Sequence, residues 1–190
     1  DWLHLHHEDF TGQYGKFVGT FGMSPWYVQQ KNVNEQIAAK LGFSKVSKLK
    51  LAVVGKLKEY VSNGGFLFTM CSATDTYDIA LASRFTDIAD AMYDGDGYDQ
   101  EANGKLDFSE DIAFENFKIE LNPYVYEYST IDATNDMVML GPQNDYFKLV
   151  DFSAKYDPVP TMLNQNHTAL VRGFMGQTTA FKKEYLKKDV

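Results

Sequence analysis

The sequence predicts an α/β layer fold with a mostly parallel sheet, and three observations carry that expectation. Two stretches of helical periodicity, from about Trp26 to Leu41 and from about Ser47 to Ser62, lead into a continuous apolar run, Phe66 to Met70. That run ends in a tight turn holding the single cysteine, Cys71, and a further helical stretch follows through Ala82. Helix, strand and helix in succession mark a layered α/β domain, and a short unbroken apolar run fits a central parallel strand buried on both faces.

The bulk composition is consistent with such a domain. With 190 residues, 44% of them hydrophobic and 15% aromatic, the chain can bury one sizeable core, and a single domain over residues 1–190 is expected. A formal net charge of -8 argues against a nucleic-acid partner, since phosphate binding rests on Lys and Arg. No apolar run approaches the roughly 18 residues that span a bilayer. One cysteine excludes an internal disulfide framework without fixing the compartment. Nothing in the composition calls for a cofactor.

Element by element, Trp2 to Leu5 alternates in period two and reads as a strand, with Trp2, His4 and His6 on one face. The segment EDFTGQYGKFVGTFGMSPW, rich in glycine and aromatics, reads as a long structured loop. In the first helix Val28, Val33, Ile37, Ala38 and Leu41 form the apolar face, with Gly42 as the stop. In the second the stripe is Leu49, Val53, Leu57, Tyr60 and Val61, ended by Asn63-Gly64-Gly65. After Cys71, Ser72 or Thr74 is the expected helix cap, with Asp75 and Asp78 in the first turns. Tyr93 to Asp111 is acidic and turn-rich, and Ala113 to Leu121 reads as a strand, so the middle of the chain is expected at the periphery. TALVRGFMG reads as a strand and FKKEYLKKDV as a basic surface tail.

Cys71 is placed where chemistry is common. Ligands gather at the carboxyl ends of parallel strands, and a nucleophile on the turn into the next helix stands above the sheet. A helix amino terminus lowers a thiol pKa and can hold an oxyanion. The small residues Thr69 and Ala73 flank Cys71 at the spacing such an elbow needs, although the glycines of the sharpest elbows are missing. The plain alternative is an inert thiol at a strand end.

GGFLFTMCSATDT resembles the strand, elbow and helix of the class I glutamine amidotransferase-like superfamily, and is particularly similar to ThuA-like proteins, in which a histidine stands at the place of Cys71. With LHLHHEDFTGQ, YSTIDATND and QNHTALVRGFMGQTT, the resemblance is closest to a bacterial family often labelled asparagine synthetase B, over essentially the whole chain. True asparagine synthetases use an amino-terminal cysteine in a different fold, whereas Cys71 is internal.

The resemblance implies a flavodoxin-like three-layer sandwich, incomplete at both ends, from the central portion of a longer and often exported protein, periplasmic or in the cell envelope. It implies a small-molecule substrate or ligand and a cleft shared by Cys71 with His6, His7, Glu8 and Asp9. His7 or His6 would be the general base and Glu8 its orienter. Asp9, Ser72, Thr74, Asp75, Asn166 and His167 would bind the ligand. The downstream His-x-Glu pair of that superfamily is missing. Three alternatives remain: His167 substitutes for it, the partner lies beyond Val190 or on a second subunit, or there is no triad. A non-catalytic ThuA-like binding domain, for a small polar ligand or carbohydrate, is the competing reading.

Two metal sites are weighed against plainer readings, packed or solvent-bonded histidines in the first and a solvated loop in the second. His4 and His6 with Glu8 or Asp9 form one candidate ligand set, weak in spacing. Asp99 to Glu110 matches the calcium-loop template, with Asp99, Glu101, Asn103, Asp107 and Glu110 at ligand positions and Gly104 at the turn. Its flanks do not read as the required helices, so a solvated acidic loop is the default.

Overall fold

The computed structural model describes residues 2–133, 146–148, 170–172 and 181–188, in a chain that divides into two compact units. Unit 1 is Asp1–Asp132 with Lys182–Val190 and unit 2 is Ala133–Phe181. Unit 1 mixes helices with a small parallel sheet, in keeping with the α/β expectation. Strand β1 (Trp2–His6) leads through the short helix α1 (Val18–Phe21) to α2 (Pro25–Lys40) and α3 (Val46–Ser62). Strand β2 (Phe66–Met70), a one-turn 3-10 segment (Cys71–Thr74), α4 (Thr76–Ala82) and α5 (Ala91–Asp94) follow. In unit 2, β3 (Tyr146–Lys148) pairs antiparallel with β4 (Leu170–Arg172), within the predicted TALVRGFMG strand.

β1 and β2 pair in parallel, from Trp2 opposite Phe66 to His6 opposite Met70. β2 is not buried on both faces as its apolar run suggested. Trp2, Phe66, Phe68 and Met70 stand on one face at 68, 60, 44 and 37% exposure. The other face carries Leu3 and Leu5, which pack on a core of Phe10, Val54, Leu57, Ala73, Tyr77, Ala80 and Leu81. Fully burying a side chain such as Val54 contributes about 1.5–3 kcal/mol.

Both long helices lie where periodicity put them, but each turns only part of its expected apolar face inward, Ala38 in one and Leu57 in the other. α2 buries Tyr27 and Ala38, with Lys31 and Asn34 partly covered between them, while Val28, Val33, Ile37 and Leu41 are exposed. α3 buries Val46, Val54 and Leu57 and exposes Val53. The glycine stop holds: Gly64 has φ 84°, and a Cβ on Gly65 would sit 2.4 Å from the Tyr60 ring. Only glycine fits that crossing.

The middle of the chain is core, not periphery. Phe114, Phe117, Ile119, Tyr128 and Ile131 pack with Ile79, Ala82, Ile88 and Ala102. Residues 113–121 form no strand, only isolated bridges from Phe114 to Leu186 and from Ile119 to Ser129. Side chains satisfy the backbone there. Asp78, wholly buried, accepts from the N–H groups of Ile112, Ala113 and Phe114 at 2.6, 2.7 and 2.8 Å, and Asn103 pairs with both backbone groups of Ile119. The carboxyl-terminal segment is likewise more than a surface tail. Tyr185 and Leu186 pack on this core, and Lys187 Nζ donates to the carbonyls of Phe108 and Asp111.

Candidate functional site

Cys71 follows the last paired residue of β2 and has φ 53°. Left-handed backbone is uncommon for a residue with a side chain and costs about 1–2 kcal/mol, so the position is held by its surroundings. Among those surroundings the Thr76 hydroxyl is central and fully buried. It sits 2.6 Å from the Ser72 carbonyl and 3.1 Å from the Glu8 carbonyl, and the Phe10 N–H donates to it at 3.4 Å. One threonine thus ties the exit of β1 to the turn after β2.

Neither Ser72 nor Thr74 caps a helix. The Cys71–Thr74 turn intervenes, α4 begins at Thr76, and Asp75 precedes it without a side-chain capping bond. The helix of the predicted elbow therefore starts five residues after the cysteine and is seven residues long.

Two carboxylates and a phenol share the electrostatics of this turn. Protein crowds the Asp75 carboxyl, and that desolvation, reinforced first by Asp132 and then by Asp9 and Asp78, pushes it up to about 7. Burial, then the proximity of Cys71 and Asp132, raises Tyr126 above the usual phenol range. Cys71, Tyr126, Asp132 and Asp75 therefore lie within electrostatic reach of one another in turn. Sequence reasoning named Asp75 but missed Asp132. The recurrence of both segments, SATDT and YSTIDATND, as acidic and hydroxyl-rich strings was the available signal.

His6, His7, Glu8 and Asp9 do come together, along a cleft of about 260 Å³ that Tyr14, Phe17, Gln30, Asn34 and Lys50 also line. Cys71 is not among the residues lining it. His7 is left-handed, with φ 66°, and its ring centroid is 3.8 Å from that of His6. Asp9 is buried and spent on structure: Oδ1 accepts from the Thr11 N–H at 2.7 Å and the Thr11 hydroxyl at 2.6 Å, and Oδ2 from the Gly15 N–H at 2.8 Å. That carboxylate folds the loop predicted between β1 and α2. Gly12 within the loop has φ 85°, and a Cβ there would lie 2.9 Å from Ser47 Cβ.

Four polar members of the cleft went unnoticed in the sequence: Tyr14, Gln30, Asn34 and Lys50. Asn34 lies between Tyr27 and Ala38 on the inward side of α2, and a polar residue on a core-facing stripe is the signal that exposes it. Lys50 Nζ donates to the Asp9 carbonyl at 2.5 Å and lies 5.9 Å over the Phe10 ring. Glu8 Oε2 and the Tyr14 hydroxyl are closed off from solvent and have no hydrogen-bond partner among the described residues. Desolvation, then Glu35, drives the Tyr14 phenol upward, so it stays protonated.

Neither predicted metal site assembles. His4 and His6 share a face, but His4 Nε2 lies 3.2 Å from Met70 Sδ, and among the described residues the one cluster with three ligand atoms within 4.8 Å is Asp87, Asp94 and Asp96. Lys45 Nζ occupies its centre, at 2.6, 3.3 and 2.5 Å. In the calcium-like loop Asp99 accepts from Lys105 and Thr86, Asn103 from Ile119, and Asp107 and Glu110 pair with Arg84 and Lys58. Cations and donors of the protein hold oxygens of Asp99, Asn103, Asp107 and Glu110, four of the five ligand positions. Asn166 and His167 lie outside the described residues. No helix of the described residues is long and apolar enough to cross a membrane. Neither family models, nor curated proteins, nor solved structures contain a match to this chain.

Proposed function

We propose that this chain is a glutamine amidotransferase-like domain acting as a cysteine-dependent amide hydrolase or amidotransferase, with Cys71 as nucleophile. The observation that carries the reading is the left-handed backbone of Cys71 at the carboxyl end of a parallel strand. Backbone strain of this kind collects where a side chain must be aimed. The Cys71 sulfur attacks the amide carbonyl carbon, its proton passing to a base, and the carbon–nitrogen bond breaks as that proton moves to the departing amine. Water then cleaves the thioester and restores the thiol. His7, leaving β1 beside Cys71 and likewise left-handed, is the residue we assign as base, with Glu8 next to it in sequence. The broader architecture we propose is the flavodoxin-like three-layer sandwich. Its support is the apolar outer face formed by Trp2, Phe66, Phe68 and Met70, the composition of a sheet face that another layer covers.

Iodoacetamide labelling across pH tests the nucleophile. Labelling of Cys71 well below pH 8.5, with loss of any glutaminase activity in Cys71→Ala, is expected. Labelling only at alkaline pH would remove the proposal.

One observation favours the non-catalytic alternative. A cleft of about 260 Å³ is lined by His6 through Asp9 and not by Cys71, an arrangement suited to a binding domain whose ligand never meets the thiol. Ligand binding that survives Cys71→Ala, in a protein without amidase turnover, would select it.

A further inference from the structure

We infer that the cleft lined by His6, His7 and Lys50 binds a small oxyanion, a carboxylate or phosphate group, and that Lys50 supplies the countercharge. The inference names a ligand class for the cleft of the binding-domain reading and rests on that cleft being a binding site. It asks nothing of Cys71.

The sign of the ligand follows from the hydrogen-bonding capacity left unspent around the cleft. Two acids stand on its wall. Asp9 has both oxygens spent on Thr11 and Gly15, and Glu8 has Oε2 closed off from solvent. At most one carboxylate oxygen, Glu8 Oε1, is left to face the cleft. The donors are more numerous. Lys50 is the one Lys or Arg among the lining residues, and its ammonium carries three N–H groups. The Asp9 carbonyl takes one of them, at 2.5 Å, and the Phe10 ring lies 5.9 Å from Nζ. The cation is thus held in place with donors to spare, and a charged N–H makes the stronger bond to an anionic oxygen. Gln30 and Asn34 add amides, and His6 and His7 add imidazoles, to the same wall. None of these four side chains is hydrogen-bonded among the described residues.

Helix α3 contributes the same sign. Val46, its first residue, lines the cleft, and no side-chain capping bond closes that end. The free N–H groups and partial positive charge of a helix amino terminus favour an anion. The net charge of -8 opposes an anion only at long range, because salt screens exposed charges beyond about 10 Å. A volume of about 260 Å³ lies below that of sites for drug-sized molecules, so the anion is small.

Calorimetric titration of the intact chain with malonate, inorganic phosphate and malonamide, at one ionic strength, tests this. Malonate or phosphate should bind, with neutral malonamide at least about tenfold weaker, and the tighter of the two anions identifies the group recognised. Lys50→Gln keeps a donor for the Asp9 carbonyl and should weaken the anion by about tenfold or more, and Lys50→Arg by no more than a few-fold. Asn34→Ala should weaken it several-fold and stands in should Lys50→Gln fail to fold. Cys71→Ala should leave binding unchanged. Failure of both anions to bind, or indifference to Lys50→Gln and Asn34→Ala, would overturn the inference. Malonamide binding as tightly as the anions would overturn the charge assignment while keeping the cleft as a binding site. Loss of anion binding in Cys71→Ala would overturn its independence of the thiol.

Discussion

His7 and Cys71 leave adjacent parallel strands at the same register and turn with the same hand. Each follows a paired residue, His6 opposite Met70, and their φ angles are 66° and 53°. Two non-glycine residues in left-handed backbone at neighbouring strand ends form one paired bend. Replacing Cys71 should report its strain. Cys71→Gly is expected to be at least as stable as the parent, because glycine relieves the steric penalty, whereas Cys71→Val should lose about 1–2 kcal/mol. Urea midpoints measure both, and a valine variant of parental stability would mean the turn relaxes freely.

Thr76 is the tie between those two bends. Thr76→Val keeps the shape and removes the hydroxyl that serves Ser72, Glu8 and Phe10. A loss of about 1–3 kcal/mol is expected, from buried groups left without partners. The same variant should shift the pH dependence of Cys71 labelling, since the turn is no longer anchored to β1; unchanged labelling with full stability would show the tie to be idle.

Stability should fall between about pH 4 and pH 8. Asp75 is pushed up to about 7, by desolvation and then Asp132, and Asp111 to about 8, by desolvation and then Asp78. Both exceed the unfolded value of 3.8, so in that window the native state holds protons that the unfolded chain has released. Lys16 acts in the opposite sense at higher pH. Burial lowers it from 10.5 to about 8, so from about 8 to 10.5 the unfolded chain binds the extra proton and stability rises with pH. Asp111→Asn should flatten the acid limb and raise stability at pH 8, as melting curves across pH would reveal. A steeper limb in that variant would contradict the assignment.

Calcium should not stabilise the parent protein. The oxygens of Asp99, Asn103, Asp107 and Glu110 are engaged, and Lys45 fills the Asp87, Asp94 and Asp96 cluster. Lys45→Met removes that cation and leaves three carboxylates facing one another. The variant is expected to melt earlier in EDTA and to regain stability with added calcium, while the parent curve does not move. A calcium-dependent rise in the parent would show that its own cations yield.

The parts of this structure legible from sequence were those fixed locally. Helix extents followed from periodicity and from glycine stops, because Gly64 and Gly65 meet requirements within a few residues of themselves. Helix faces followed only in part, at Ala38 and Leu57. Val53 and Val54 are chemically the same, and only the placement of β1 and α4 decides that Val54 turns inward. The Ala113 to Leu121 segment misled in a different way. Its alternation is that of a strand, yet Asp78 and Asn103, distant in sequence, satisfy its backbone. At the site, the run from His6 to Asp9 was expected on one cleft with Cys71; being contiguous it does line one cleft, but Cys71 is not among the lining residues. Tyr14, Asn34 and Lys50 reach that cleft from separate elements, and no local pattern announces them.

The outward position of both tryptophans has a spectroscopic consequence. Trp2 stands on the open sheet face and Trp26 beside Phe21, at 5.4 Å between ring centroids. Emission from each should therefore be red-shifted and readily quenched by acrylamide in the native protein, so that unfolding changes intrinsic fluorescence little. Trp26 nevertheless belongs to an aromatic chain that runs through Phe21 to Phe17 on the cleft. Occupation of the cleft, more than loss of the fold, is the event this fluorophore is positioned to report.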